Sequence, residues 1–321
     1  MFEFINYLKV LATVLITNSH FGNIWPVSAL ATGGLLGNVV FFAVSGFLLY
    51  NIKTSFPKWF SKRFFRVYPA LAVFTLFAVA IGEYGLNSFE DAFRLFVYPT
   101  NYIFLVWLIV CYCVFYPVVV VDKKKKHFLE ITMFVIFVAW ILVYAVLYDK
   151  SAYTVDNVSE PFILFLYIES MLLGALFNKH KSYFGKFRVS KVFLTGMLFV
   201  AYAASKIVFS KVSVLLPFQI LNQFVIFITL FFVFDLFLSM EFIFQKVPVT
   251  VTGIVRHISN ITLQIYVVQF VIIRYCSKIS FPLNLVTVIF AILVGASLLY
   301  YVEAYARKAA KVMCEKIRRD K

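Results

Sequence analysis

Ten apolar runs dominate this chain, near residues 4–21, 34–52, 64–82, 101–121, 128–148, 160–177, 191–210, 214–239, 257–275 and 283–303. Each is close to the roughly 20 residues that a helix needs to cross about 30 Å of hydrocarbon. Backbone amides find no water there, so a spanning run must satisfy its hydrogen bonds internally, as a helix does. The 321 residues are 63% hydrophobic and 14% charged, against about 45–50% and 25% in soluble domains. A water-soluble globule is thereby excluded. The expected fold is all-α, a polytopic membrane bundle of about ten transmembrane helices forming a single domain over residues 1–321.

The 30 Lys and Arg against 15 Asp and Glu give a formal charge of +15. In a soluble protein that excess would raise the question of nucleic acid; here the charges bracket membrane runs, and no nucleic-acid motif accompanies them. Placing the N-terminus in the cytoplasm puts 23 of the 30 basic residues in the segments 53–66, 122–130, 178–191, 240–256 and 304–321. Six fall outside and Lys9 lies in the first run. Retention of basic side chains on the cytoplasmic face therefore predicts an N-in, C-in topology. "DKKKK" at 122–126 and the "KIRRDK" tail are topology anchors that also suit anionic lipid headgroups.

A cleaved leader is not expected: Glu3 and Lys9 interrupt the opening run, and Asn18, Ser19 and His20 follow it. The four cysteines lack metal-ligand spacing, so neither a disulfide framework nor a metal site is predicted. "NSFEDAFRLF", within 83–100, has the pattern of a short helix lying along the outer face or shielding the bundle end. No pair of inverted, Gly/Pro-broken spans of the transporter kind is evident.

Charged or titratable side chains inside hydrocarbon cost several kcal/mol on some scales, which makes them functional candidates. They are Lys9, His20, Glu169, Asp235 and Glu303. Eleven helical steps return Lys9 and His20 to within about 20° of one face, with about 16 Å of rise between them. An imidazole is suited to take a proton from a hydroxyl near neutrality, so His20 is the candidate base. The alternative for a His at a helix end is packing. Ser45 and Gly46 give the second run a small-residue position where a helix or a ligand can approach closely. Arg63 and Arg66, at i and i+3 near the start of the third, present two guanidinium forks suited to phosphate, or act as anchors.

Taken together, Lys9 and His20, the Phe41-Phe42-x-x-Ser45-Gly46 element and the Arg63-x-x-Arg66-x-Tyr68-Pro69 element resemble the bacterial acyltransferase-3 family of integral-membrane O-acyltransferases. "LVWLIVCYCVFYPVVV" at 105–120, with Pro117, "HISNITLQIYVVQF" at 257–270 and "YVEAYARK" at 301–308, with Glu303, are similar to its later segments. Two positions depart from the pattern: Lys9 stands where the family has Arg, and Gln269 where its penultimate helix commonly has His.

The resemblance implies a bacterial inner-membrane enzyme moving an acyl group, acetyl by default, from cytoplasmic acyl-CoA to a hydroxyl of a surface polysaccharide or lipid-linked sugar. On that basis His20 is the base and Lys9 its charged companion. Arg63, Arg66 and Tyr68 hold CoA, without a metal. Ser45 and Gln269 are candidate oxyanion donors, and Glu169 and Asp235 candidate acids beside the imidazole or structural ion-pair partners. The alternative function is a polysaccharide exporter or flippase without acyl transfer.

Overall fold

The computed structural model describes residues 2–151 and 161–319, and the side chains of those up to residue 308. The described residues of all ten apolar runs are mainly helical, and no β-strand occurs among the described residues. In chain order the helices are α1 (Glu3–Ser19), α2 (Gly34–Leu49), α3 (Phe56–Ala80), α4 (Phe89–Ala92), α5 (Ile103–Asp122), α6 (Phe128–Leu147) and α7 (Ile163–Lys179). There follow α8 (Val189–Lys211), α9 (Ile220–Ser239), α10 (Glu241–Phe244), α11 (Val249–Asn260), α12 (Thr262–Cys276) and α13 (Leu283–Arg319).

Among the described residues seven helical segments are long and apolar enough to cross a membrane, and the bent pair α11 and α12 makes an eighth. Helices α1 and α7 have 17 residues each, a rise of about 26 Å, slightly less than a hydrocarbon core. The α6 surface shows why these helices belong in lipid. Ile131, Phe134, Val135, Ile141 and Leu142 are exposed while Leu129, Trp140 and Tyr144 are buried, so the outward face is as apolar as the inward one.

Two compact units interleave along the sequence. The first comprises Met1–Ile16, Gly33–Phe56 and Trp107–Val255, and the second Thr17–Thr32, Pro57–Val106 and Arg256–Lys321. In the first unit α2 packs on α7, and α9 packs on α2, α7 and α8. Glycine permits the closest of these contacts. A Cβ on Gly46 would lie 1.8 Å from the Met171 carbonyl oxygen, and one on Gly174 1.8 Å from that of Ala43. Glu241 caps the start of α1, its two carboxylate oxygens accepting from the amides of Glu3 (3.0 Å) and Phe4 (2.7 Å), which have no intrahelical partner. In the second unit α12 packs on α13.

Several boundaries differ from the hydropathy pattern. Helix α3 starts at Phe56 rather than 64, because the basic stretch before the apolar run is itself helical, with Arg63 over the Trp59 ring at 5.7 Å. The run at 257–275 is broken at Ile261, where α11 and α12 meet at 70°. Ser259, Asn260 and Thr262 surround that break, residues whose side chains compete with helical hydrogen bonds. Helix α13 continues past 303 to Arg319. The stretch in 83–100 folds as the four-residue α4, capped by Ser88 accepting from the Asp91 amide at 3.0 Å, followed by a π-helical turn at Phe93–Val97.

Candidate active site

His20 owes its position to the way α1 ends. The Asn18 amide nitrogen donates to the carbonyls of Leu30 (2.8 Å) and Thr32 (3.0 Å), and its oxygen accepts from the Trp25 indole (2.9 Å). The chain is thereby turned out of the helix, leaving His20 exposed at the exit. Its ring meets Phe270 of α12 edge-on, with centroids 4.7 Å apart. Phe270 in turn packs against Tyr102 and Tyr266. The Tyr102 hydroxyl donates to the Val267 carbonyl (3.0 Å) and lies 2.9 Å from the Tyr84 hydroxyl. Among the described residues the His20 ring nitrogens make no hydrogen bond.

Gln269, fully buried in α12, accepts from the Thr17 hydroxyl at 2.9 Å through Oε1. Its amide nitrogen has no partner among the described residues. Exchanging the two amide atoms would only transfer the vacancy to the oxygen, so one buried polar atom next to the end of α1 awaits a partner whichever way the group is turned. This unit thus gathers an imidazole, an aromatic wall and an amide with only one of its two ends engaged among the described residues.

A second cluster joins α3, α12 and α13 in the same unit. Arg63 and Arg66 lie two to three turns into α3, and Tyr68 stacks on Phe64 at 4.9 Å. Pro69 is accommodated inside that helix. Arg307 of α13 donates to the Arg66 carbonyl (3.2 Å) and to the carboxylate of Glu303 one turn earlier. Buried Glu303 also accepts from the Gln264 amide nitrogen at 2.8 Å, whereas Gln264 Oε1 is buried without a partner among the described residues.

The remaining predicted residues belong to the first unit. Lys9 is buried in α1, and Ser45 is half-buried in α2 beside the Gly46 contact with α7. Glu169 of α7 is 2% exposed, and its Oε1 has no partner among the described residues. Asp235 of α9 pairs with Lys191 of α8 at 2.6 Å.

Thr17, Tyr102, Gln264, Phe270 and Arg307 escaped the sequence reading. Four of them are neutral, and Arg307 is one of the basic residues that follow Glu303 in "YVEAYARK", where the sequence singles out no individual cation. Their only available signal was helical spacing, which sets Thr17 three positions before His20 and Arg307 four after Glu303.

A family model described as an acyltransferase domain matches residues 2–302, nearly the whole chain and both units. No curated protein and no solved structure matches it.

Proposed function

Since the chain belongs to the acyltransferase-3 family, we propose that this membrane acyltransferase takes an acyl group, acetyl by default, from cytoplasmic acyl-CoA. The acceptor is a hydroxyl of a cell-surface polysaccharide or lipid-linked sugar. The host membrane in this reading is the bacterial inner membrane, with both chain ends in the cytoplasm, and residues 1–321 act as a single catalytic domain.

The observation that carries it is His20, whose ring packs on Phe270 while its nitrogens are unengaged among the described residues. An imidazole without a hydrogen-bonding neighbour is available to the proton of an incoming hydroxyl. As His20 removes that proton, the sugar oxygen attacks the thioester carbonyl. The C–S bond then breaks, the acyl group stays on the sugar, and the proton held by His20 neutralises the departing thiolate. Charge builds up on the carbonyl oxygen before that bond breaks. Gln269, whose amide nitrogen has no partner among the described residues, is the proposed donor to it. Arg63, Arg66 and Tyr68 receive the CoA moiety, the guanidinium groups taking its phosphates. Lys9 contributes the positive charge that the family draws from Arg.

Full-length protein, purified in detergent, is given acetyl-CoA and a glycan acceptor while CoA release and acceptor acylation are followed together. His20→Ala lowers acyl transfer by about 10²-fold or more with an unchanged gel-filtration profile. Full activity in that variant removes His20 from the chemistry, and glycan translocation without thioester cleavage replaces the enzyme with an exporter.

A further inference from the structure

We propose that Arg307 is a third phosphate ligand, completing the site of Arg63 and Arg66, and that Glu303, held by Gln264, is the residue that positions it. The proposal rests on the donor reading above, which gives the arginines of α3 to the CoA phosphates and leaves α13 without a role.

Arg307 reaches from α13 to the backbone of α3, donating to the carbonyl of Arg66 itself at 3.2 Å. Its guanidinium group thus lies within one side chain's reach of that of Arg66. The donor reading gives the arginines of α3 to the phosphates, and Arg307 adds to them a cation that the Glu303 carboxylate aims. Planar guanidinium forks suit phosphate oxygens, and an anion held between such groups offsets their mutual repulsion. About half of the Arg307 side-chain surface is open, 48%, against 4% for Glu303. The cation is therefore reachable, and the carboxylate that aims it is enclosed.

Gln264 supplies the independent observation. Its amide nitrogen faces the Glu303 carboxylate at 2.8 Å, and reversing the amide would set oxygen against oxygen, so the orientation is fixed. The consequence is a buried acceptor, Gln264 Oε1, without a partner among the described residues. A pantetheine arm carries amide N–H groups that need such acceptors, so the site has complementary groups for two portions of one donor: cations for its phosphates and a carbonyl for its arm.

Calorimetric titration of CoA into the purified full-length protein at low and high salt tests this. Wild type binds CoA, more weakly at high salt. Arg307→Ala weakens binding about tenfold or more and flattens the salt dependence, because one phosphate contact is lost. Arg307→Lys, which keeps the charge, recovers part of the loss. Should Arg307→Ala fail to fold, Arg307→Gln takes its place with the same expectation. Glu303→Gln separates positioning from charge. A carboxylate acting only as nearby negative charge would, once neutralised, let CoA bind more tightly, whereas loss of the residue that aims Arg307 raises the acetyl-CoA KM at unchanged kcat. CoA affinity equal to wild type in the Arg307 variants, or tighter binding in Glu303→Gln, overturns the proposal. If wild type binds no CoA, the donor reading falls and this proposal with it.

Discussion

Asp122, at the end of α5, is an acceptor for three groups that would otherwise be stranded. Its Oδ1 takes the Leu129 amide (2.9 Å) and the Lys179 ammonium (2.7 Å), and its Oδ2 takes the Tyr50 hydroxyl (3.0 Å). Lys179 also reaches Glu130 (2.8 Å), whose other oxygen lies 2.8 Å from His180 Nε2. One fully enclosed carboxylate therefore ties the ends of α2, α5, α6 and α7 together within the first unit. Asp122→Ala leaves an amide, a hydroxyl and part of an ammonium without their acceptor, and we expect a loss of about 3 kcal/mol in stability. Asp122→Asn, which retains one carbonyl oxygen, loses less. Thermal unfolding of the two variants in the same detergent checks the order, and equal midpoints for wild type and Asp122→Ala refute it.

At the level of helices, the contact between α2 and α7 depends on two residues that lack side chains. With Gly46 against the Met171 carbonyl and Gly174 against that of Ala43, the backbones touch, and neither site has room for a methyl group. Gly46 is legible in the sequence as half of the Ser-Gly element, whose small size predicts a close approach; Gly174 carries no such signal. A sequence shows that a position is small, but not which distant position shares the contact. The same asymmetry runs through the candidate site. His20, Arg63 and Arg66 were legible because charge inside or beside an apolar run is costly and hence conspicuous. Thr17, Gln264 and Phe270 have their meaning only through partners far along the chain, as in the Thr17–Gln269 bond or the His20–Phe270 contact. The ten apolar runs were readable for a simpler reason: burying helical backbone in hydrocarbon demands a length and a composition, both of which are local properties. The break at Ile261 is not legible in the sequence, because the hydropathy on either side is continuous. Gly46→Ala and Gly174→Ala are expected to cost roughly 1–3 kcal/mol each or more, as overpacking of a close contact does. Because both act on one helix pair, the double variant should cost less than the sum of the two. Unfolding midpoints for the three proteins measure that shortfall, and strict additivity would mean that the sites act independently.

For the molecule as a whole, orientation in the membrane follows from where its cations stand, not from any single cluster. Most of the 30 Lys and Arg belong to segments on one side in the proposed topology, and the lysine run at 123–126 supplies only four of them. Exchanging Lys124, Lys125 and Lys126 for Gln still leaves that side well ahead in basic residues. Lys123, whose ammonium donates to the Ile52 carbonyl at 2.7 Å, stays in place so that the local fold is undisturbed. The triple variant is therefore expected to keep the orientation of the parent. In a background with its four native cysteines replaced, Lys278→Cys should react with a membrane-impermeant maleimide on intact cells. Ser55→Cys, on the opposite side in this topology, should react only after the cells are opened. The triple variant should preserve that pattern. Labelling of Ser55→Cys in intact cells of the parent would invert the topology. The same labelling confined to the triple variant would instead give the three lysines a control over orientation that the remaining basic residues do not share.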